Sequence, residues 1–87
     1  MNNVYIMSAN RSAIGGFGGT LKNHCPVDLG TLVAKEAIKR SGFEANEVEH
    51  AVFGNVIHTE PRDMYVSRVI ALQAGMDKAS AALTVNR

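Results

Sequence analysis

Apolar and polar positions alternate along the chain in two different periods, and the switches between them mark the elements. Val4-Tyr5-Ile6-Met7-Ser8-Ala9 is a β-branched and apolar run that predicts a buried strand. Four glycines in the five residues Gly15 to Gly19 follow, a composition that suits a tight loop and no regular element. From Pro26 the period becomes helical. Proline fits a first helical turn, Asp28 puts negative charge near the positive helix end, and Gly42 is the predicted stop. Leu29, Leu32, Val33 and Ala37 recur at three-to-four-residue spacing and predict the buried stripe of this helix. Lys35, Glu36, Lys39 and Arg40 fall mainly on the wetter side.

The acidic connector Glu44 to Glu49 has room for one helical turn, and Ala51 to Ile57 predicts a second strand. His58 to Arg62 is polar, and Pro61 argues against continuing that strand. Asp63 is the candidate cap of a second helix, with Val66, Val69, Ile70 and Gln73 along one side and Gly75 at its end. Ala81 to Asn86 predicts a third strand. The order β-α-β-α-β predicts an α/β layer with strands buried on both faces.

Composition narrows the class without naming a function. With 46% hydrophobic and 20% charged residues the chain has a globular profile, and its 87 residues suffice for one small unit. The net charge of +1 comes with scattered Lys and Arg, which argues against a nucleic-acid or membrane partner. Neither a spanning apolar run nor a secretory leader is expected. The single cysteine, Cys25, excludes an internal disulfide and suits a reducing, cytoplasmic setting. Cys25 precedes a helix but has no organised base in the sequence, so packing or capping is its expected role. His24, His50 and His58 lack the paired spacing of a zinc site. The glycine-rich stretch completes neither a phosphate-binding loop nor a dinucleotide fingerprint. Arg11 is expected to be structural, bonding to loop carbonyls or an acidic partner.

Five stretches in order resemble the thiolases, the acyl-CoA C-acetyltransferase family. Ser8-Ala9-Asn10-Arg11-Ser12-Ala13-Ile14-Gly15 resembles their Ser-Ala-x-Arg-Thr-Pro-Ile-Gly opening. Phe17-Gly18-Gly19-Thr20-Leu21-Lys22 and Pro26-Val27-Asp28-Leu29-Gly30 resemble the following turn and first helix start. Val52-Phe53-Gly54-Asn55-Val56 and Thr84-Val85-Asn86-Arg87 resemble the second strand and the lead-in to the nucleophile. Asn10 and Ser12-Ala13 depart from the common pattern. Thr59-Glu60-Pro61-Arg62-Asp63-Met64-Tyr65 is similar to the bacterial β-ketothiolase version of its loop.

The resemblance implies a thiolase-like layered fold, of which residues 1–87 form the amino-terminal β-α-β-α-β portion. It implies Claisen condensation of two acyl-CoA, typically acetyl-CoA, to a 3-ketoacyl-CoA, and the reverse thiolysis, through a cysteine acyl-enzyme. The family's nucleophile lies two residues beyond the position of Arg87, so no catalytic residue is expected within residues 1–87, and this segment alone is expected to be inactive. Acyl-CoA and CoA are substrates; no cofactor or metal is implied. Met64 and Tyr65 are either ordinary packing residues or, as the resemblance implies, a wall of the acyl pocket. Arg68 is read as structural, in an internal network or subunit contact, and Arg87 as positioning the nucleophile's turn. Thr84, Val85 and Asn86 resemble the strand that pairs across a homodimer, alone or within a homotetramer. Two alternatives stay open: a degradative long-chain 3-ketoacyl-CoA thiolase, and a stand-alone module binding an acyl group, CoA or a protein.

Overall fold

The computed structural model describes residues 3–86. Helix α1 runs from Pro26 to Ser41, with Gly42 in the left-handed region at φ 81°, where its amide donates to Lys39 O. A non-glycine residue would be strained there, so the helix stops where the sequence predicts. Strand β1 covers His50–Gly54, helix α2 Val66–Gln73 and strand β2 Ala81–Val85. Single 3-10 turns at Ala45–Glu47 and Pro61–Tyr65 precede β1 and α2.

β1 and β2 pair in parallel, with His50 opposite Ala81 and Gly54 opposite Val85. Parallel neighbours cannot be joined by a hairpin, so the chain between them crosses over through α2. α2 fills the space between α1 and the strands. Val27, Val66 and Ile70 form one core cluster; Ala51, Ala71 and Met76 form another, and Phe53 packs against both. The α/β class and the alternating order of elements hold.

Four local expectations are corrected. Val4–Ala9 forms no strand: among the described residues the sheet has two strands, β1 and β2. This stretch instead crosses α1 as extended chain, held by Ser8 Oγ donating to Ala37 O (2.7 Å) and Asn10 Nδ2 to Val33 O (3.1 Å). Val4 is 95% and Ile6 90% exposed. The radius of gyration, 13.7 Å, accordingly exceeds the ~12 Å typical of a compact chain this long. A strand requires a partner edge, and neither β1 nor β2 pairs with these residues.

The second strand stops at Gly54 and not at Ile57. Asn55 N still donates to Val85 O (2.9 Å), but β2 ends at Val85, and Val56 and Ile57 leave the ladder exposed. The buried face of α1 is also displaced from the predicted stripe. Val27 and Thr31 are buried, whereas Leu32 is exposed. α2 approaches so closely that a Cβ on Gly30 would overlap Ile70 Cδ1 and come within 3.2 Å of its Cγ1. The face with a glycine admits that approach; the bulkier leucine stripe does not. The fourth correction, to the role of Asp63, belongs to the site described below.

Gly30→Ala tests this contact. Overpacking costs about 1–3 kcal/mol, and restored helix propensity returns at most about 1 kcal/mol. Urea denaturation followed by circular dichroism should show a net loss of about 1 kcal/mol. Adding Ile70→Val, which removes the overlapping methyl, should recover part of it. A stabilised single variant would contradict the close approach.

Candidate functional site

The carboxyl ends of β1 and β2 lie side by side, with Gly54 opposite Val85. In parallel α/β structures the loops beyond this edge are where ligands bind. Here the loop runs from Asn55 to Tyr65. Its organiser is Asp63, whose side chain is fully buried. Oδ2 accepts from Thr59 N (2.8 Å), Thr59 Oγ1 (2.7 Å) and Glu60 N (3.2 Å), while Oδ1 has no hydrogen-bond partner among the described residues. Asp63 therefore does not cap α2, whose N-cap position is Tyr65. It sits in the preceding 3-10 turn and reaches back to that turn's own start, because Glu60 is the turn's N-cap and Pro61 its first residue.

Asn55 ties this turn to the sheet. Its Nδ2 donates to Asp63 O (3.3 Å), and its backbone amide donates to Val85 O. A charged cluster ties the turn to the start of α1. Arg62 Nε donates to Glu60 Oε1 (2.7 Å), and Arg62 Nη1 lies 3.5 Å from Asp28 Oδ1. A hydrogen bond with Glu60 holds the Cys25 thiol above its ordinary pKa, assisted by partial burial and the charges of Glu60 and Asp28. These surroundings favour thiol over thiolate, the reverse of what a nucleophile requires.

Met64 and Tyr65 follow Asp63 on the same turn but point outward, 57% and 68% exposed. Thr84, in β2, accepts from Ser67 N through its Oγ1 (3.1 Å), and Val85 and Asn86 are exposed at the strand end. The structure brings neither Arg68 nor Arg11 to this edge. Arg68 clamps the amino end of β2, donating to Ser80 O (2.9 Å) and Lys78 O (2.7 Å). Arg11 donates to Ser12 O (3.2 Å) on the surface beside α1. Arg87 lies outside the described residues. Among those described, no three His, Cys, Asp or Glu gather as a metal site. A cavity of about 350 Å³ lined by Ser8, Ala37, Ile38, Ser41, Phe43, Glu47 and Val48 lies at the carboxyl end of α1. Glu47 is its one ionisable lining group, so volume there does not coincide with chemistry. Asn55, Thr59 and Glu60 are the site residues that sequence reasoning missed. The acidic-Pro-x-Asp spacing of Glu60 to Asp63 carries a capping-box signal that points to the turn.

Residues 4–87 match the family model described as the thiolase N-terminal domain. The chain belongs to the thiolase family. It is 52% identical over 84 residues to beta-ketothiolase BktB of Cupriavidus necator, a match that covers 97% of this chain and 21% of that protein. It is 40% identical over 86 residues to an acetyl-CoA acetyltransferase of Clostridioides difficile, covering 99% of this chain and 79% of that one. Human mitochondrial 3-ketoacyl-CoA thiolase in complex with CoA superposes with a TM-score of 0.90 at 30% identity, over 94% of this chain and 21% of its own. Acat5 thiolase from Ascaris suum, also in complex with coenzyme A, gives 0.89 at 37% identity, over 95% and 22%. The chain thus spans about a fifth of the length of BktB and of both solved thiolases.

Hydrogen bonds from the Thr59 hydroxyl and amide, then from the Glu60 amide, hold the Asp63 carboxyl below its ordinary pKa despite burial. A depressed folded-state pKa contributes stability above the unfolded value of about 4, and that contribution disappears as pH falls through the folded value. Asp63→Asn should therefore destabilise at pH 7, and its difference from the parent should narrow below about pH 4. Urea titrations at both pH values check this; a difference that widens in acid would contradict it.

Proposed function

We propose that residues 1–87 are the amino-terminal part of the N-terminal domain of a longer thiolase, a beta-ketothiolase acting on acetyl-CoA and other acyl-CoA thioesters. The carrying observation is the 52% identity to BktB over 97% of this chain, which runs through the loop at the strand ends. The lower identity, 31%, to mitochondrial 3-ketoacyl-CoA thiolases favours this reading over a degradative long-chain enzyme.

In this reading the complete enzyme takes an acyl group onto a cysteine thiolate, releasing CoA as the leaving thiol. A base then removes the α-proton of acetyl-CoA, and the carbanion attacks the thioester to give a 3-ketoacyl-CoA and regenerate the thiolate. Donors aimed at the thioester and enolate oxygens lower both barriers. The residues of this chain supply placement. β2 leads into the turn that carries the nucleophile, Arg87 positions that turn, and Met64 and Tyr65 wall the acyl chain. Arg68 fixes where β2 begins, and Arg11 braces the surface beside α1. No helix among the described residues is long and apolar enough to cross a membrane. The single cysteine and the scattered Lys and Arg support a cytoplasmic enzyme with no nucleic-acid or membrane partner.

Thr84, Val85 and Asn86 form the edge that meets a second subunit in a homodimer or homotetramer. Ala81 N donates to Glu49 O and Val85 O accepts from Asn55 N, so alternate residues of β2 face β1. The backbone groups of Ala82 and Thr84 consequently face the open edge. Val85 takes part in such an interface through its side chain, since its carbonyl is already used by β1.

Two outcomes are expected. Acetyl-CoA should label the complete enzyme at the cysteine two residues beyond Arg87, by mass spectrometry of peptides, while purified residues 1–87 transfer no acyl group above background. Labelling elsewhere, or robust transfer by residues 1–87, would favour a stand-alone acyl or CoA module. Thr84→Pro in the complete enzyme should weaken the dimer at least about tenfold by analytical ultracentrifugation. Thr84→Val, which loses only the acceptor for Ser67 N, should cost about 1 kcal/mol of stability and leave dimerisation intact. Equal dimerisation of the proline variant would remove β2 from the interface.

A further inference from the structure

We propose that Asp63 is a positioning residue that sets which acyl chain lengths the enzyme accepts, by fixing the Pro61–Tyr65 turn from inside. The inference rests on the thiolase reading above and goes further, because it assigns selectivity to a buried residue that touches no substrate.

Three donors converge on one oxygen of a fully buried carboxylate, from residues three and four positions earlier. The nearby guanidinium takes no part in holding it, because Arg62 is engaged by Glu60 and Asp28. The carboxylate is therefore held by oriented N–H and O–H groups, which fix direction as well as distance. On its backbone side Asp63 O accepts from Asn55 Nδ2, and Asn55 N donates to Val85 O. A continuous set of hydrogen bonds thus runs from the end of β2 through Asn55 to Asp63 and back to Thr59. Within residues 1–87, Met64 and Tyr65 project from this turn with more than half their surface exposed, so packing inside this segment does not hold them. Their position is inherited from the backbone at Asp63.

The consequence depends on chain length. Each methylene buried against such a wall is worth about fourfold in affinity. Loosening the turn penalises a long acyl chain that reaches the wall and spares a short one that does not. A purely structural defect penalises both equally.

The test compares thiolysis of acetoacetyl-CoA and 3-ketooctanoyl-CoA by the complete enzyme. Asp63→Ala should raise KM for the longer substrate about tenfold relative to the shorter, with kcat for the two falling in equal proportion. Asp63→Asn, which retains an acceptor oxygen for Thr59 and Glu60, should bring the KM ratio back to within about threefold of the parent. An unchanged KM ratio in folded Asp63→Ala, or equal losses on both substrates, would overturn the proposal. If Asp63→Ala does not fold, Thr59→Val decides the matter: removal of the hydroxyl donor should shift the ratio about threefold in the same direction, and no shift overturns the proposal. A parent enzyme that cleaves neither substrate would instead reject the thiolase reading, and the proposal with it.

Discussion

A parallel strand pair imposes a demand that the rest of this molecule answers. β1 and β2 run in the same direction, so the chain must return across the sheet, and the returning element must be buried on the side it covers. α2, eight residues long, does this. Ser67 lies at the centre of the contact, fully buried, with its hydroxyl donating to Ala51 O (3.0 Å) and its amide to Thr84 Oγ1. One residue thereby joins the helix to both strands. One turn further along, α2 meets α1 through Ile70 and Gly30, where the missing side chain sets the helix separation.

The candidate site inherits its rigidity from that arrangement. The loop beyond β1 leaves the sheet at Asn55, which is fastened to β2, and re-enters regular structure at Val66, which is fastened in the core. Between those anchors the Asp63 carboxylate organises the turn and the Arg62 cluster attaches it to α1. Loop residues can present exposed Met64 and Tyr65 at a defined place because both ends of the loop and its middle are fixed. In the proposed enzyme this is the contribution of the amino-terminal segment: it places groups, and the residues that break and make bonds come from elsewhere.

Local signals made much of this legible in the sequence. Pro26 and Gly42 bounded α1, Gly75 ended α2, and the apolar runs located the two paired strands to within three residues. The five motifs in register pointed to the thiolase family, to which the chain belongs. What was not legible depends on partners remote in sequence. Val4–Ala9 has strand composition, but a ladder requires a neighbouring edge, and composition does not supply one. α1 has more than one apolar face, and which is buried was decided by the bulk of Ile70 against the absence of bulk at Gly30. Asp63 was recognised as a capping residue but assigned to the wrong turn. Its carboxylate points backward to Thr59 and Glu60, a direction that spacing to the following helix does not reveal.

The central claim is that α2 and the β1–β2 ladder form one cooperative unit on which the loop depends, and amide hydrogen exchange on the 87-residue chain measures it most directly. Amides of α2 and of the ladder should exchange slowest and with a common opening free energy. Thr59 and Glu60 should show intermediate protection, and Val4 to Ala9 should exchange nearly as fast as an unstructured peptide. Protection of Val4 to Ala9 equal to that of α2, or exchange of α2 as fast as the glycine-rich loop, would contradict the claim.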